Sequence, residues 1–268
     1  MAKLLSYCDY FISFMQSNSP MVLSKDNTVL FTSKETIRAK PAYYSSSSGG
    51  YNYSRNVRLA GDSVYFIDTD CRLVVYDLSK LLAIAEPERA KFEPKIVKGS
   101  FAFEELCVDS KYRVTVVSKD GRLSRVPEDS NTRELSTLES GKLGTQYGAV
   151  ETLNGCVAVA SFCPKTQLRA YSVFDANLKL LAFANTKAPN AYLVKNMLLF
   201  AKKEMLHILA AADKCEADLL VFDGSKTLHF VQTLTVNDRF VNGVTWLKKD
   251  EEALIWGIEG TLKSIKLT

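Results

Sequence analysis

Histidine is almost absent from this sequence: only two of its 268 residues are His. Both, His207 in EMLHILA and His229 in KTLHFVQ, lie in alternating apolar stretches, which predicts packed side chains rather than catalytic bases. The sequence also lacks a G-x-S-x-G motif, a Cys-x-x-Cys or His-x-x-x-His pair and a glycine-rich loop that ends in lysine. These absences argue against serine hydrolases, zinc sites and P-loops, so we expect a non-enzymatic protein without cofactor or metal.

Long apolar runs are missing too, and no stretch is long enough to cross a membrane as a helix. The opening MAKLLSYCDYFISFMQ has Asp9 inside its apolar part and no small-residue cleavage pattern, which argues against a secretion signal. The six cysteines are far apart and mostly lie in strand-like stretches, as free thiols in a reducing compartment do. We therefore expect a cytoplasmic or nuclear protein with no membrane span.

The sequence also has no large excess of charge of one sign. Its 34 Lys and Arg residues and 30 Asp and Glu residues give a net charge of +4. A general nucleic-acid binder is usually far more basic. What the chain does have is 47% hydrophobic residues over 268 positions, enough for a sizeable core. This length fits either two ordinary domains or one large all-β domain.

A short pattern recurs along the chain: an alternating strand ends in an aromatic residue followed by aspartate. The copies are Tyr76-Asp77, Phe174-Asp175 and Phe222-Asp223. The first two copies are 98 residues apart and the last two 48, so the longer gap predicts a hidden copy half-way, near residue 126. The stretch YRVTVVSKDGRLSRV at 112–126 occupies this place, and its Asp-Gly pair favours a tight hairpin.

Candidate hairpin turns follow one another at steps of about 45 to 50 residues, which is typical of an array of β-blades. Their centres fall near residues 26, 70, 120, 165, 215 and 259. The stretch 203–220 could form a helix, but its place in the repeat favours a strand at 205–212. The sequence thus predicts an all-β protein, a single β-propeller domain over 1–268 with six visible four-stranded repeats, and seven blades as the alternative.

The aromatic-aspartate pairs stand where WD-repeat β-propellers have Trp-Asp, and the chain resembles a degenerate member of this β-propeller superfamily. No repeat has Trp-Asp itself, and the Gly-His dipeptide of the family is absent. The resemblance implies a protein-protein interaction scaffold, a WD-repeat-like propeller subunit of an intracellular multiprotein complex. Its partners would be one or more proteins that dock on the propeller rim or complete the last blade.

The apolar residues near the N-terminus, at 4–15, allow two interpretations. The favoured one pairs them beside 261–267 as the outer strand of the last blade, which closes the ring and brings the termini together. In the other, they form the inner strand of the first blade, and a partner chain supplies the strand that the last blade lacks. Open propellers of that kind resemble those of vesicle-coat and nuclear-pore scaffolds.

One segment, IRAKPAYYSSSSGGYNYSRNVR at 37–58, departs from the repeat. Its composition predicts a connection between the first two blades with a flexible Ser/Tyr/Gly-rich loop at 41–54. The functional alternative is a recognition loop, since tyrosine offers broad contact area and arginine pairs with anionic groups. The candidate binding residues are Arg38, Lys40, Tyr43, Tyr44, Tyr51, Tyr53, Arg55 and Arg58.

The same segment supports a rival function, because stacked tyrosines and basic side chains also suit single-stranded nucleic acid. A second basic group surrounds the third hairpin, at Lys111, Arg113, Lys119, Arg122 and Arg125. We expect this group to lie on a solvated blade edge, but a nucleic-acid-binding propeller of a ribonucleoprotein would use both groups. A propeller hydrolase or lyase is the remaining alternative.

Overall fold

The computed structural model describes residues 3–14, 19–34, 37–39, 57–118, 121–126, 133–134, 146–163, 165–187, 194, 196–211, 216–224, 227–236, 241–249, 251–257 and 260–266. In this part of the chain the strands form six antiparallel sheets, five with four strands and one with three. Within each sheet every strand pairs only with its neighbours in sequence, as in a meander. The prediction of an all-β protein with six repeats is therefore confirmed.

The chain folds into two compact units. The first comprises Met1–Leu106 with Ser110–Tyr112, and the second comprises Cys107–Asp109 with Arg113–Thr268. The expectation of a single domain over 1–268 stays a prediction.

The N-terminal part of the chain contains the first three sheets. The first sheet consists of β1 (Lys3–Tyr7), β2 (Tyr10–Phe14), β3 (Pro20–Ser24) and β4 (Val29–Thr32). The second consists of β5 (Val57–Ala60), β6 (Ser63–Ile67), β7 (Leu73–Asp77) and β8 (Lys95–Val97). Two short helices, α1 (Leu78–Ala83) and α2 (Glu86–Arg89), connect β7 to β8. The third sheet consists of β9 (Phe103–Val108), β10 (Val114–Ser118), β11 (Arg122–Val126) and β12 (Arg133–Glu134).

The remaining three sheets lie within the second unit. The fourth consists of β13 (Gln146–Leu153), β14 (Cys156–Cys163), β15 (Leu168–Phe174) and β16 (Leu180–Lys187). The fifth consists of β17 (Asn196–Lys202), β18 (Met205–Ala211), β19 (Glu216–Phe222) and β20 (Leu228–Thr235). The sixth consists of β21 (Val241–Lys248), β22 (Glu252–Gly257) and β23 (Leu262–Lys266). The stretch that could have been a helix is a strand, β18, as its place in the repeat predicts.

Each unit buries its own apolar side chains between neighbouring sheets. In the first unit, Phe14 of β2 meets Phe66 of β6 edge to face, with ring centroids 5.4 Å apart, and Tyr76 of β7 stacks on Phe66. In the second unit, clusters form between the fourth and fifth sheets and between the fifth and sixth. This is how small twisted sheets that cannot bury both faces alone become stable.

The three aromatic-aspartate pairs stand at the ends of the third strands β7, β15 and β19, so the repeat marker is structurally equivalent in each sheet. The aromatic residue belongs to the core at Tyr76 and Phe174, and the aspartate begins a turn. Asp77, for example, accepts a hydrogen bond of 3.0 Å from the backbone N–H of Lys80 and caps α1. That backbone hydrogen bond lowers the pKa of Asp77 to about 2.

Six hairpin turns among the described residues share a five-residue geometry in which the fourth residue has a positive φ. These fourth residues are Asn27, Cys71, Tyr112, Gly121, Leu178 and Gly260. In five turns the side chain of the first residue accepts a hydrogen bond of 2.8–3.1 Å from the backbone N–H of the fifth. The acceptors are Ser24, Asp68, Asp109, Ser118 and Asp175. A Ser or Asp four or five residues before the next strand is therefore a second repeat signal, which the aromatic-aspartate pattern alone does not include.

One predicted turn has a different place in the repeat. The turn near residue 26 joins the third and fourth strands, β3 and β4, whereas the turns near 70, 120 and 259 join the second and third strands of their sheets. The reason is that the same turn chemistry serves either hairpin, so a turn residue does not reveal which pair of strands it connects.

The favoured interpretation of residues 4–15 is wrong. They form a hairpin, β1–β2, with register from Lys3 opposite Phe14 to Tyr7 opposite Tyr10, and β2 pairs with β3. They do not pair beside β23, whose partner strand is β22. The chain turns at Cys8, which has a positive φ of 48°, and this turn lets one apolar stretch supply two adjacent strands of the first sheet.

Candidate interaction surface

Two of the predicted binding residues, Arg38 and Arg58, lie in the described part of the chain. Arg38 is exposed, and its carbonyl accepts a hydrogen bond of 3.0 Å from the N–H of Thr69. Arg58 is half-buried on β5. The other candidates, Lys40, Tyr43, Tyr44, Tyr51, Tyr53 and Arg55, and the loop 41–54 lie outside the described residues.

The flanks of this segment are anchored in the first unit. Ile37 and Ala39 belong to its apolar core, and Ala39 forms an isolated bridge with Asp68. On the other side, Val57 at the start of β5 is also fully buried. The core therefore holds both ends of the segment, and its role in recognition stays a prediction.

The second basic group is solvated only in part, because Lys111 and Arg113 are exposed and Arg122 is half-buried, whereas Arg125 is not solvated. Arg125 is buried and donates hydrogen bonds to the hydroxyl of Thr115, at 2.9 Å, and to the carbonyl of Ala176, at 3.2 Å. The Nε of Arg113 donates to Asp109 at 2.7 Å, and Asp109 also lies 3.7 Å from Arg125. The expectation of a solvated edge is thus wrong for Arg125, because hydrogen bonds within the second unit compensate its burial. Lys119 lies outside the described residues.

The two histidines differ in their surroundings. His207 is half-buried and stacks on Phe200, with ring centroids 4.8 Å apart, and burial lowers its pKa. This agrees with the prediction of a packing residue. His229 is exposed, 3.5 Å from Asp223, so its predicted burial is wrong. It lies on β20, the outermost strand of its sheet, where both faces meet solvent over much of the strand.

None of the cysteines in the described part of the chain forms a disulfide bond. They are Cys8, Cys71, Cys107, Cys156 and Cys163. No group of three or more His, Cys, Asp or Glu side chains that could hold a metal ion occurs among the residues that the structure describes. No described helix is long and apolar enough to cross a membrane.

A buried polar network joins the fourth and fifth sheets. Asp218 of β19 forms an ion pair with Arg169 of β15 and accepts hydrogen bonds from the hydroxyls of Tyr171, at 2.6 Å, and Thr233, at 2.9 Å. The Nη2 of Arg169 lies 3.6 Å from Glu216. Arg169, Tyr171 and Asp218 are each at most 1% exposed, so burial raises the pKa of Tyr171 well above its usual value. The buried Nε and Nη2 of Arg169 have no hydrogen-bond partner among the described residues, so the polar contact between the two sheets depends on Asp218, which binds the Nη1 of Arg169, Tyr171 and Thr233. Sequence patterns do not predict this network, because an arginine and a tyrosine in an apolar strand do not reveal which residues they will contact.

Apolar side chains are exposed on the outer strands next to this network. Phe230 and Val231 of β20 are 37% and 53% exposed, and Phe183 of β16 is 38% exposed. The ring of Phe230 packs edge to face on Tyr171, with centroids 5.9 Å apart, and Phe183 forms an isolated bridge with Thr227, directly before β20. We call Phe183, Phe230 and Val231 the outer-strand surface. It offers apolar contact on a support that the buried network holds rigid.

Val231 lies at a β-bulge of β20. In the pairing of β19 with β20, Leu219 stands opposite Gln232 and Leu220 opposite Phe230, so Val231 is the extra residue of the outer strand. A bulge redirects a side chain and increases the local twist. Most residues of β20 are exposed, and Val231 is among them, directly after Phe230 in the chain.

No family model and no curated protein matches this sequence. Among solved structures, the chain is similar to BBS1N in complex with ARL6DN, with a TM-score of 0.61 and 12% identity over 99% of this chain and 77% of that chain. It is also similar to the Dos1 propeller, with a TM-score of 0.58 and 12% identity over 97% of this chain and 66% of that chain. At this identity the likeness shows the fold alone. With its six antiparallel sheets, the chain therefore has the fold of a β-propeller with six blades.

Proposed function

We propose that this propeller is a non-enzymatic scaffold for protein-protein interaction, a WD-repeat-like subunit of an intracellular complex in the cytoplasm or nucleus. The observation that carries the proposal is the outer-strand surface, where aromatic and β-branched side chains face solvent. Exposed apolar groups on a rigid support are typical of protein-binding sites.

The support beneath this surface matters for affinity. Phe230 packs on Tyr171, whose hydroxyl is fixed by Asp218, so the ring keeps its place without a partner. A preorganised surface loses little conformational entropy on binding, and more of the contact energy then contributes to affinity.

A similar propeller supports the proposal by analogy. BBS1N was solved in complex with ARL6DN, so a β-propeller of this kind binds another protein. The analogy concerns the mode of action and does not extend to the identity of the partner. For this chain we propose a partner protein that places apolar side chains against Phe230 and Val231.

The segment at 37–58 is a second proposed contact. Arg38 is exposed and Arg58 is half-buried on the first strand of the second sheet, at the two ends of the candidate set. Basic and tyrosine side chains there would recognise an acidic stretch of a partner.

The test uses Val231→Asp, which places a charge on the outer-strand surface without removing the packing of Phe230. Tagged wild-type protein and variant are purified from the native cell, and the co-purifying chains are quantified by mass spectrometry. We expect at least one chain to be enriched with the wild type and lost with the variant, because a buried unpaired carboxylate opposes an apolar contact.

Leu247→Asp is the matched control, since Leu247 on β21 is 57% exposed and lies outside this surface. The control should retain the partner, and both variants should unfold at the wild-type temperature. Equal loss with both variants, or no chain enriched over the tag alone, would contradict the proposal. Enrichment of RNA that falls steeply with added salt would favour the ribonucleoprotein alternative instead.

A further inference from the structure

The third strand of the sixth sheet differs from the third strand of every other sheet. In the five four-stranded sheets this strand pairs on both sides, and none of its residues is exposed. In the sixth sheet β23 pairs only with β22, and three of its five residues are exposed. The side chain of Leu262, one of these three, is 64% exposed. Within the described part of the chain, β23 thus has the position of an interior strand and the exposure of an edge.

The outer edges of the other five sheets are protected against strand addition. The outer strands β8 and β12 have only three and two residues. The outer strands β4, β16 and β20 each contain a bulge, with Leu30, Leu181 and Val231 as the extra residues. Short strands and bulges are the usual means of blocking edge pairing.

The edge of β23 has neither of these two protections, and its lysines oppose an added strand only where that strand is not acidic. Its five residues pair with β22 in an unbroken register, from Trp256 opposite Leu262 to Glu252 opposite Lys266. Alternate backbone N–H and C=O groups of such a strand point away from its partner and form a regular ladder for a further strand. The edge therefore has the geometry that strand addition requires.

The charge on this edge selects the partner. Lys263 and Lys266 lie on β23, which carries no acidic residue. A second copy of this chain is a poor occupant, because pairing β23 with itself would place four lysines and no acidic residue on one pair of strands. We propose that β23 is a docking edge for an extended acidic segment of a partner protein, which adds to the sixth sheet as its fourth strand.

The side chains of β23 define what the added strand should contain. Ile265 and Leu262 lie on opposite faces of the sheet. An added strand would cover part of each of these two side chains with its own apolar residues. Lys263 shares the face of Ile265, and Lys266 shares the face of Leu262. An antiparallel added strand that places carboxylates opposite both lysines and apolar side chains opposite Leu262 and Ile265 therefore reads acidic-apolar-polar-acidic-apolar. This docking edge is separate from the outer-strand surface, and its test does not depend on that surface.

The test uses the whole chain and a synthetic peptide that contains Glu-Val-Ser-Glu-Val, which follows this pattern. Binding is measured by calorimetry, and backbone amide hydrogen exchange locates the bound peptide. At a peptide concentration of about ten times its Kd, the outward amides of 262–266 should exchange about tenfold more slowly. The same peptide N-methylated at alternate residues leaves the protein unchanged but cannot form the ladder, so it should not bind.

Two further measurements test the charge. The same peptide with lysine in place of both glutamates should not bind, and the double variant Lys263→Gln, Lys266→Gln should bind the acidic peptide about fivefold more weakly, since two ion pairs are lost. The pair Lys248→Gln, Lys249→Gln is the matched control and should bind as the wild type does.

The proposal is overturned if the acidic peptide does not bind at millimolar concentration or if the N-methylated peptide binds equally well. It is also overturned if protection falls on strands other than β23. A dimer in sedimentation experiments that the acidic peptide does not dissociate would assign the edge to a second copy of this chain instead.

Discussion

The hydroxyl of Tyr171 on β15 donates a hydrogen bond of 2.6 Å to Asp218 on β19, a residue 47 positions further along the chain. Both side chains are buried, and the same carboxylate also binds Arg169 and Thr233. Asp218 is therefore the acceptor on which the polar contact between the fourth and fifth sheets depends.

Replacing this acceptor should strongly destabilise the second unit. Asp218→Asn keeps the size of the side chain but leaves the buried guanidinium of Arg169 without its main counterion. We expect a loss of about 3 kcal/mol in the free energy of unfolding, measured in urea. Asp223→Asn, at an exposed pair with His229, should cost about 1 kcal/mol or less. Similar losses in both variants would show that the network does not stabilise the protein.

Alkaline pH should weaken the fold through buried tyrosines. Burial raises the pKa of Tyr76 from its usual 10.0 to about 12, and burial also raises that of Tyr171. The unfolded chain releases these protons first, so the stabilisation is fully present below pH 10 and decreases above it. It is lost once the pH passes about 12.

The expected decrease is about 1.4 kcal/mol per pH unit for each such tyrosine, measured as urea midpoints between about pH 9 and 11.5. Tyr76→Phe should make the decrease shallower. Tyr112→Phe, at an exposed position, should leave the slope unchanged. An identical slope in Tyr76→Phe and wild type would contradict this prediction.

Gly148 stands at a bulge of β13, where no larger residue fits. A Cβ atom there would lie 2.0 Å from the carbonyl oxygen of Val194, and this backbone atom belongs to a buried residue. We expect Gly148→Ala to cost about 3 kcal/mol in thermal or urea unfolding, since overpacking shifts the backbone. At Gly243 the obstacle is the side chain of Trp256, at 2.8 Å, which can move. Gly243→Ala should therefore lower the free energy of unfolding less than Gly148→Ala does. A larger loss in Gly243→Ala would show that the backbone at Val194 moves more easily than the side chain of Trp256.

The hairpin between β17 and β18 places two ordinary residues in the left-handed region. Lys203 and Glu204 have φ values of 50° and 63°, close to those of Asn154 and Gly155 in the hairpin between β13 and β14. Because Asn-Gly is the preferred pair for this turn, Lys203→Asn with Glu204→Gly should stabilise the protein by about 1 kcal/mol. Asn154→Lys with Gly155→Glu should destabilise it similarly. If both double variants melt at the same temperature, the backbone at Lys203 and Glu204 is not strained.

Deleting residues 41–54 should leave the fold stable. The flanks stay anchored by Ile37, Ala39 and Val57, all in the core of the first unit, and a shorter connection costs little loop entropy. We expect a melting temperature within about 2 °C of wild type, measured by calorimetry. A large decrease would mean that the segment packs against the core. An unchanged melting temperature with loss of a co-purifying protein would support recognition by this segment.

Much of the fold is predictable from local sequence. The aromatic-aspartate pairs end buried strands, and the Ser or Asp turns close hairpins, because both depend on a few neighbouring residues and on backbone stereochemistry. The period between the copies then follows, and with it the number of sheets. The strand at 205–211 is predictable in the same way, from its position in the period.

The candidate surface is less predictable. An alternation pattern does not distinguish Val231 from Gln232, and only the pairing of β20 with β19 shows that Val231 is the extra residue of a bulge. Arg125 belongs by sequence to a basic cluster, yet Asp109, Thr115 and the carbonyl of Ala176 hold it inside the second unit. Sequence cannot separate a solvated arginine from a buried one, because the compensating partners lie up to 51 positions away.

By itself, the sequence determined that the chain is a series of β-hairpins with a period near 48 residues, since alternation and turn chemistry are local. Tertiary structure alone decided that the N-terminal apolar stretch forms the two strands β1 and β2 beside β3, and that β23 pairs with β22 alone among the described residues. An alternating strand is compatible with many neighbours, because backbone hydrogen bonding does not distinguish one strand from another. The neighbour is chosen by how remote side chains, such as Phe14 and Phe66, pack together.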